Sequence, residues 1–381
     1  MTDQQTIKFG DICREVKLTT KDPIADGYER YIGLEHLDSG SLKIKRWGMI
    51  AEDNPSFTRV FKKGHILFGK RRPYLKKAAI AEFDGICSGD IVVIEPLGKA
   101  KNSSILPLIL QTEQFWSWAV KTSTGSLSPR TKYKELSNFE IPSQDSSNIR
   151  RLLNAFDLAQ RSLNLTNESL DSLNTLFHCF LLSSLSPKAH WDSARLTDLG
   201  EVKGGRQRAP QHMDGEDIVQ YLRPANIKRG KINIEDVLEM NFTPAEQDVY
   251  MLQSGDILLV EGGEAEDVGD SAYFNLTGKY CFQNTLIRVR AYPERINPRH
   301  LYWLLSFVHR SGGFLGIAAG TKIKHIGTKN TSGLSVSVPP KSELNKICSA
   351  LDVFESTLMA LELKKKQVAL VGRNLSSKIF N

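Results

Sequence analysis

A chain of 381 residues, 40% apolar and 24% charged, can bury real cores and is long enough for two domains of ordinary size. Its net charge of +7, with a pI near 9.0, favours an anionic partner. Five cysteines with no CxxC pair argue against a disulfide framework or a structural zinc site, and no run approaching 18 apolar residues argues against a membrane span, so a cytoplasmic protein is expected.

In chain order, a first module is expected over about residues 8–143. It mixes short β-like runs such as IVVIEP at 91–96 with turn signals and one helical candidate at 105–122. A long amphipathic helix follows at 152–185. Phe156, Ala159, Leu163, Thr166, Leu170, Leu173, Phe177 and Phe180 alternate steps of three and four, the a/d spacing of a seam that needs a partner. A second module spans about 191–340, with a helical stretch at 298–310, and a second long helix is expected at 347–380. The second helix lies under the first without a gap at an offset of 195, and six of its eight seam positions are apolar: Leu351, Phe354, Leu358, Leu361, Val368 and Leu375, with Lys365 and Gly372 the exceptions. Each 34-residue segment would be about 51 Å long if wholly helical.

The modules repeat one another as well. YIGLEHL at 31–37 matches YLRPANI at 221–227, and FKKGHILF at 61–68 matches LQSGDILL at 252–259. Glycine-bearing TSTGSLS at 122–128 matches IAAGTKIKH at 317–325, and FEIP at 139–142 matches VSVPP at 336–340. Several matches in one order, with a gapless helix match, point to an internal duplication. The expected class is therefore α+β: two pseudo-repeated mixed domains, each followed by a long helix, with the helices paired as an antiparallel coiled coil. The boundaries fall at 1–143 and 188–341 for the domains and 144–187 and 342–381 for the helical segments.

FKKGHILFGKRRPYLKKA at 61–78, FDGICSG at 83–89, YLRPANI, SGDILLVEGGEAEDVG at 254–269 and the two long helices resemble the specificity subunit of type I restriction-modification enzymes. The resemblance covers essentially the full length. It implies two target recognition domains, each reading one half of a split sequence in double-stranded DNA, and two paired helices that receive methyltransferase subunits, two in number. It also implies an endonuclease and translocase partner. Cofactors would sit on those partners, with S-adenosylmethionine, ATP and Mg2+ expected there and none on this chain. One departure is visible, since the Gly255–Asp256 of the second copy is Gly64–His65 in the first; Asp256 and its counterpart are read as turn or scaffold positions.

Candidate DNA-contacting residues follow from basic groups beside turns. Lys70, Arg71, Arg72, Lys76 and Lys77, with Tyr74 among them and Lys62 and Lys63 just before, can neutralise phosphates, and arginine can also read guanine. Ser126, Arg130, Lys132 and Lys134 form a second patch beside Gly125. In the other module the candidates are Arg206, Gln207, Arg208, Arg223, Asn226, Lys228, Arg229, Lys322, Lys324 and His325. Gln207 and Asn226 are possible adenine readers, with loop support the competing role for each, and a carboxylate of 261–270 could accept from a cytosine amino group.

Catalytic chemistry is not expected in the chain. GHILFGKR at 64–71 has Walker A spacing but Arg71 where Mg2+ needs a serine or threonine. Asp256 and Glu261 lack the following lysine of a nuclease site, Gly263 standing there, and Pro339–Pro340 is not flanked as a base-methylation tetrapeptide requires. Competing readings are the recognition subunit of another methylation-based defence system, a coiled-coil scaffold for protein partners, and a stand-alone nuclease.

Overall fold

The computed structural model describes residues 6–98, 103–142, 146–207, 209 and 215–378. Among these, the helices of eight residues or more are α1 (Glu113–Lys121), α2 (Ser146–Ser184), α3 (Pro298–Arg310) and α4 (Lys341–Ser377). The chain divides into two compact units: residues up to 168 together with those from 362 onward, and residues 169–361.

In the first unit, strands Cys13–Val16, Ile91–Pro96, Ile66–Gly69 and Ala78–Ile80 form an antiparallel sheet in that order. IVVIEP lacks polar alternation because it is a central strand buried on both sides. Val92 and Ile94 face a core with Phe9, Phe115 and Trp116, while Ile91 and Val93 face a second core with Ile32 and Phe61. Another sheet orders Gly48–Met49, Arg30–Ile32, Gly85–Cys87 and Arg59–Phe61, with one parallel pair between Arg30–Ile32 and Gly85–Cys87. Thr6–Lys8 pairs with Glu140–Pro142, clasping the module's first strand to its last.

The second unit repeats this plan. Its antiparallel sheet runs Gly200–Gly204, Leu286–Ala291, Ile257–Val260, Ser271–Tyr273. Its other sheet runs Leu238–Asn241, Ile218–Leu222, Tyr280–Phe282, and Ile218–Leu222 and Tyr280–Phe282 are again the parallel pair. The clasp is Asp192–Arg195 against Ser335–Val338.

The helical stretch expected at 105–122 is broken. A short helix, Leu106–Ile109, ends before Thr112, whose hydroxyl accepts from the Phe115 amide at 3.3 Å and starts α1 anew. Helix α3 has the expected bounds, with Asn297 as its cap and Pro298 in its first turn.

The long helices begin six residues before their expected starts, at Ser146 and Lys341, and α2 stops just before Pro187, which cannot continue it. Residues 379–380 of the second expected helix lie outside the described residues. All eight α2 seam positions are buried or half-buried. Within the first unit Phe156 joins a core that Leu375 packs against, and Gln160 approaches Gly372. Within the second, Phe177 and Phe180 meet Phe354 with ring centroids 6.0 and 5.4 Å apart. Ascending numbers on α2 meet descending numbers on α4, so the helices pack antiparallel, as expected. Lys365 points out to solvent, whereas Leu351 is fully buried. Leu351→Ala is therefore expected to cost about 2–5 kcal/mol of stability by chemical denaturation, and Lys365→Ala less than about 0.5 kcal/mol.

Candidate nucleic-acid interface

Each unit carries the same glycine hairpin. Thr124 and Arg130 exchange two backbone hydrogen bonds of 2.9 Å around Gly125, and Ala319 and His325 exchange two of 2.9 Å around Gly320. The offset is 195, the same as between the long helices. Gly125 and Gly320 have φ of +109° and +101°, and a Cβ at Gly320 would stand 2.1 Å from the Ile323 carbonyl oxygen, so neither position suits a side chain.

In the first unit this hairpin packs beside the basic turn that follows strand Ile66–Gly69. Arg71 bridges to Arg130, the Arg72 amide donates to Pro129 O at 2.7 Å, and the Thr131 amide donates to Lys70 O at 3.0 Å. Two sequence patches 50 to 60 residues apart thereby become one face. Its side chains divide into two sets. Arg130 is tied to Asp90 through Nε at 2.9 Å, Arg71 donates to Ser128 Oγ at 3.3 Å and lies 3.6 Å from Asp90, Lys76 pairs with Glu113 at 2.6 Å, and Lys77 donates to Leu34 O at 2.6 Å. The Arg130 hydrogen bond, with the charges of Arg130, Arg71 and Lys70, holds the Asp90 carboxyl below the usual carboxylate range against the opposing effect of burial. By contrast, Lys70, Arg72, Tyr74, Ser126 and Lys132 have no side-chain hydrogen bond or ion pair among the described residues. Arg72 and Lys76 adopt left-handed backbone, φ 53° and 50°, which costs energy for residues with a Cβ and is tolerated because the surrounding turn is pinned.

In the second unit the equivalent contact is strand Gly262–Gly263 against Lys324–His325. His325 Nδ1 lies 3.1 Å from Glu261, and Lys324 donates to Gly320 O at 2.8 Å, while Lys322 is exposed. Arg206 is buried, bonded to Asn241 O and Glu246 and stacked 5.0 Å from Phe242. Gln207 is exposed, and Arg208 lies outside the described residues. Arg223 pairs with Asp236. Asn226 is 2% exposed; its Oδ1 accepts from the Arg223 amide at 3.1 Å, and its Nδ2 donates to Asn233 O and Asp236 O, both at 2.9 Å. His36, at the matching place in the first unit, accepts from the Gly33 amide at 3.0 Å, so the position serves its own turn in both copies. Lys228 and Arg229 are exposed at a hairpin whose Arg229 and Gly230 amides donate to Asp270.

The His65 and Asp256 difference is also accounted for locally. His65 Nδ1 accepts from the Lys62 amide at 3.1 Å and Asp256 Oδ2 from the Gln253 amide at 2.8 Å, two chemistries for one turn. Asp256 is further clamped by Arg290, with two contacts of 2.7 Å, and residues 66–69 of the Walker-like stretch form a strand rather than a phosphate-cradling loop. Among the described residues, no three histidine, cysteine, aspartate or glutamate side chains group to hold a metal, and no helix is long and apolar enough to cross a membrane.

Sequence reasoning missed Asp90, which organises the basic face from a strand end 40 residues before Arg130, and it passed over Leu127 at the hairpin tip. Only the second left a signal, an aliphatic residue between two serines in a glycine turn.

The type I restriction modification DNA specificity domain family matches residues 188–370. The Escherichia coli type I restriction enzyme EcoDI specificity subunit is 27% identical over 176 residues, 45% of this chain; the match spans 39% of that relative's length. Two solved structures share the fold over nearly the whole chain. One is a chain from a type I R-M system, with a TM-score of 0.62 at 17% identity, covering 99% of this chain and 97% of that one. The other is the type I restriction-modification S subunit from M. genitalium, with a TM-score of 0.61 at 12% identity, covering 98% and 95%. Residues 188–370 thus match the type I restriction modification DNA specificity domain family by sequence, and the chain shares its fold along nearly its whole length with the two type I restriction-modification structures.

Proposed function

We propose that the chain selects a two-part sequence in double-stranded DNA, each unit reading one half, for a complex whose catalysis resides on other subunits. The observation that carries this reading is one frame used twice with different side chains on its face. The hairpins at 124–130 and 319–325 superimpose in backbone pairing, yet Lys70, Arg71 and Arg72 in one copy correspond to Glu261, Gly262 and Gly263 in the other. A reader of two unlike half-sites needs a shared scaffold and divergent contact groups.

The long helices support a docking role. Within the first unit Leu158, Leu165, Leu370 and Val371 are 50–65% exposed, and within the second Leu176, Val353 and Met359 are 58–65% exposed. These apolar groups lie off the α2 and α4 seam, on surfaces suited to methyltransferase subunits, one for each repeat. S-adenosylmethionine would then be bound by those subunits, and ATP and Mg2+ by an endonuclease and translocase subunit.

The purified chain is expected to bind duplex DNA with an affinity that falls steeply as salt rises, because its free cations displace condensed counterions. Binding of protein partners with no salt-sensitive duplex binding would favour a scaffold and defeat the proposal.

A further inference from the structure

We infer that Leu127 is a base-contacting residue, pressing against a thymine methyl in the major groove of the half-site read by the first unit. The inference rests on the proposed DNA-reading function. Leu127 is 90% exposed, whereas no other exposed large apolar side chain among the described residues passes 65%. A single exposed leucine is ordinarily unremarkable, since folded surfaces contain many apolar atoms. Two observations set this one apart.

The first is rigidity. The tip is fixed by the paired Thr124 and Arg130 hydrogen bonds, by the Arg72 amide on Pro129 O at 2.7 Å and by Arg71 on Ser128 Oγ at 3.3 Å. Leu127 is therefore held in water by the fold, and the hairpin cannot readily turn to bury it. The second is its surroundings. The adjoining turn presents Lys70 and Arg72, and Lys132 follows the hairpin, cations that suit a polyanion and would be costly to cover with an apolar protein surface. The second unit shows the same combination, with Ile323 49% exposed between Lys322 and Lys324 at its own glycine tip.

On duplex DNA, cations beside the tip would hold phosphates while the tip enters the groove. The thymine 5-methyl is the apolar group that the major-groove edge displays, so a leucine there distinguishes thymine from the other bases without a hydrogen bond. Burying one methyl corresponds to about a fourfold change in affinity.

The test begins by mapping methylated sites in cells carrying the chain, which gives the two half-sites. Duplexes are then made in which each thymine of one half-site in turn becomes uracil, removing only the methyl, and binding by the full-length chain and its Leu127→Ala variant is compared. The expected result is about a fourfold loss for the parent at one thymine, and equal binding of thymine and uracil duplexes by the variant. Because Leu127 covers nothing, the variant should fold normally, which its unchanged affinity for the other half-site confirms. Indifference of the parent to every uracil, or an undiminished thymine preference in Leu127→Ala, would overturn the assignment. So would enhanced fluorescence of 2-aminopurine beside the contact that disappears in the variant, the sign of a wedge that unstacks bases. If no bipartite site depends on the chain at all, the DNA-reading function itself fails, a result distinct from indifference to uracil at a mapped site.

Discussion

Lys70→Gln combined with Arg72→Gln should lower affinity for duplex DNA roughly tenfold at 0.15 M salt and flatten the log–log salt dependence by about 2 units. Both side chains lie on the face formed by the turn at 70–77 and the hairpin at 124–130, and neither has a hydrogen bond or ion pair among the described residues. Glutamine keeps the Cβ of Arg72, whose φ is 53°, so the backbone strain of the turn is unchanged and the charge is what is removed. Arg71 and Arg130 are poorer probes, because Asp90 and Ser128 use them to hold the hairpin and their loss would disturb its shape as well as its charge. An unchanged slope with unchanged affinity, measured by fluorescence anisotropy across a salt series, would place this face away from the duplex.

Exchanging residues 6–142 for the matching module of a relative should replace one half of the methylated sequence and leave the other half intact. The cut keeps Thr6–Lys8 and Glu140–Pro142 together, so the clasp that closes the module travels with it and α2 is undisturbed. The effect is qualitative rather than graded: sites of the parent type should vanish and a hybrid type should appear. A folded, assembled hybrid that keeps the original sequence would mean that reading resides outside the module.

The seam of α2 was legible because a helix packed along its length repeats every three or four residues wherever its partner lies, and Phe156, Leu170 and Phe177 are buried accordingly. Gly125 and Gly320 were legible for a local reason too, since a turn that demands positive φ selects glycine within a few residues. The break before α1 was not, because Ile109, Leu110 and Phe115 are all core residues and only the Thr112 hydroxyl marks the new start. What sequence could not supply was the division of the basic residues into engaged and open. Arg130 meets Asp90 from 40 residues away and His325 meets Glu261 from 64, pairings set by strand register in the finished sheets. Asn226 shows the same limit: its type suits adenine, while both its amide hydrogens and its oxygen bond its own loop.

The most direct test of the account is methylome mapping in cells with this chain present and with it deleted, the other subunits of the complex being supplied in both. The account predicts methylation at a single bipartite sequence, two short defined halves around a spacer of fixed length, that disappears on deletion. Methylation that persists at the same sequence without the chain, or a chain-dependent target with one continuous half only, would contradict it.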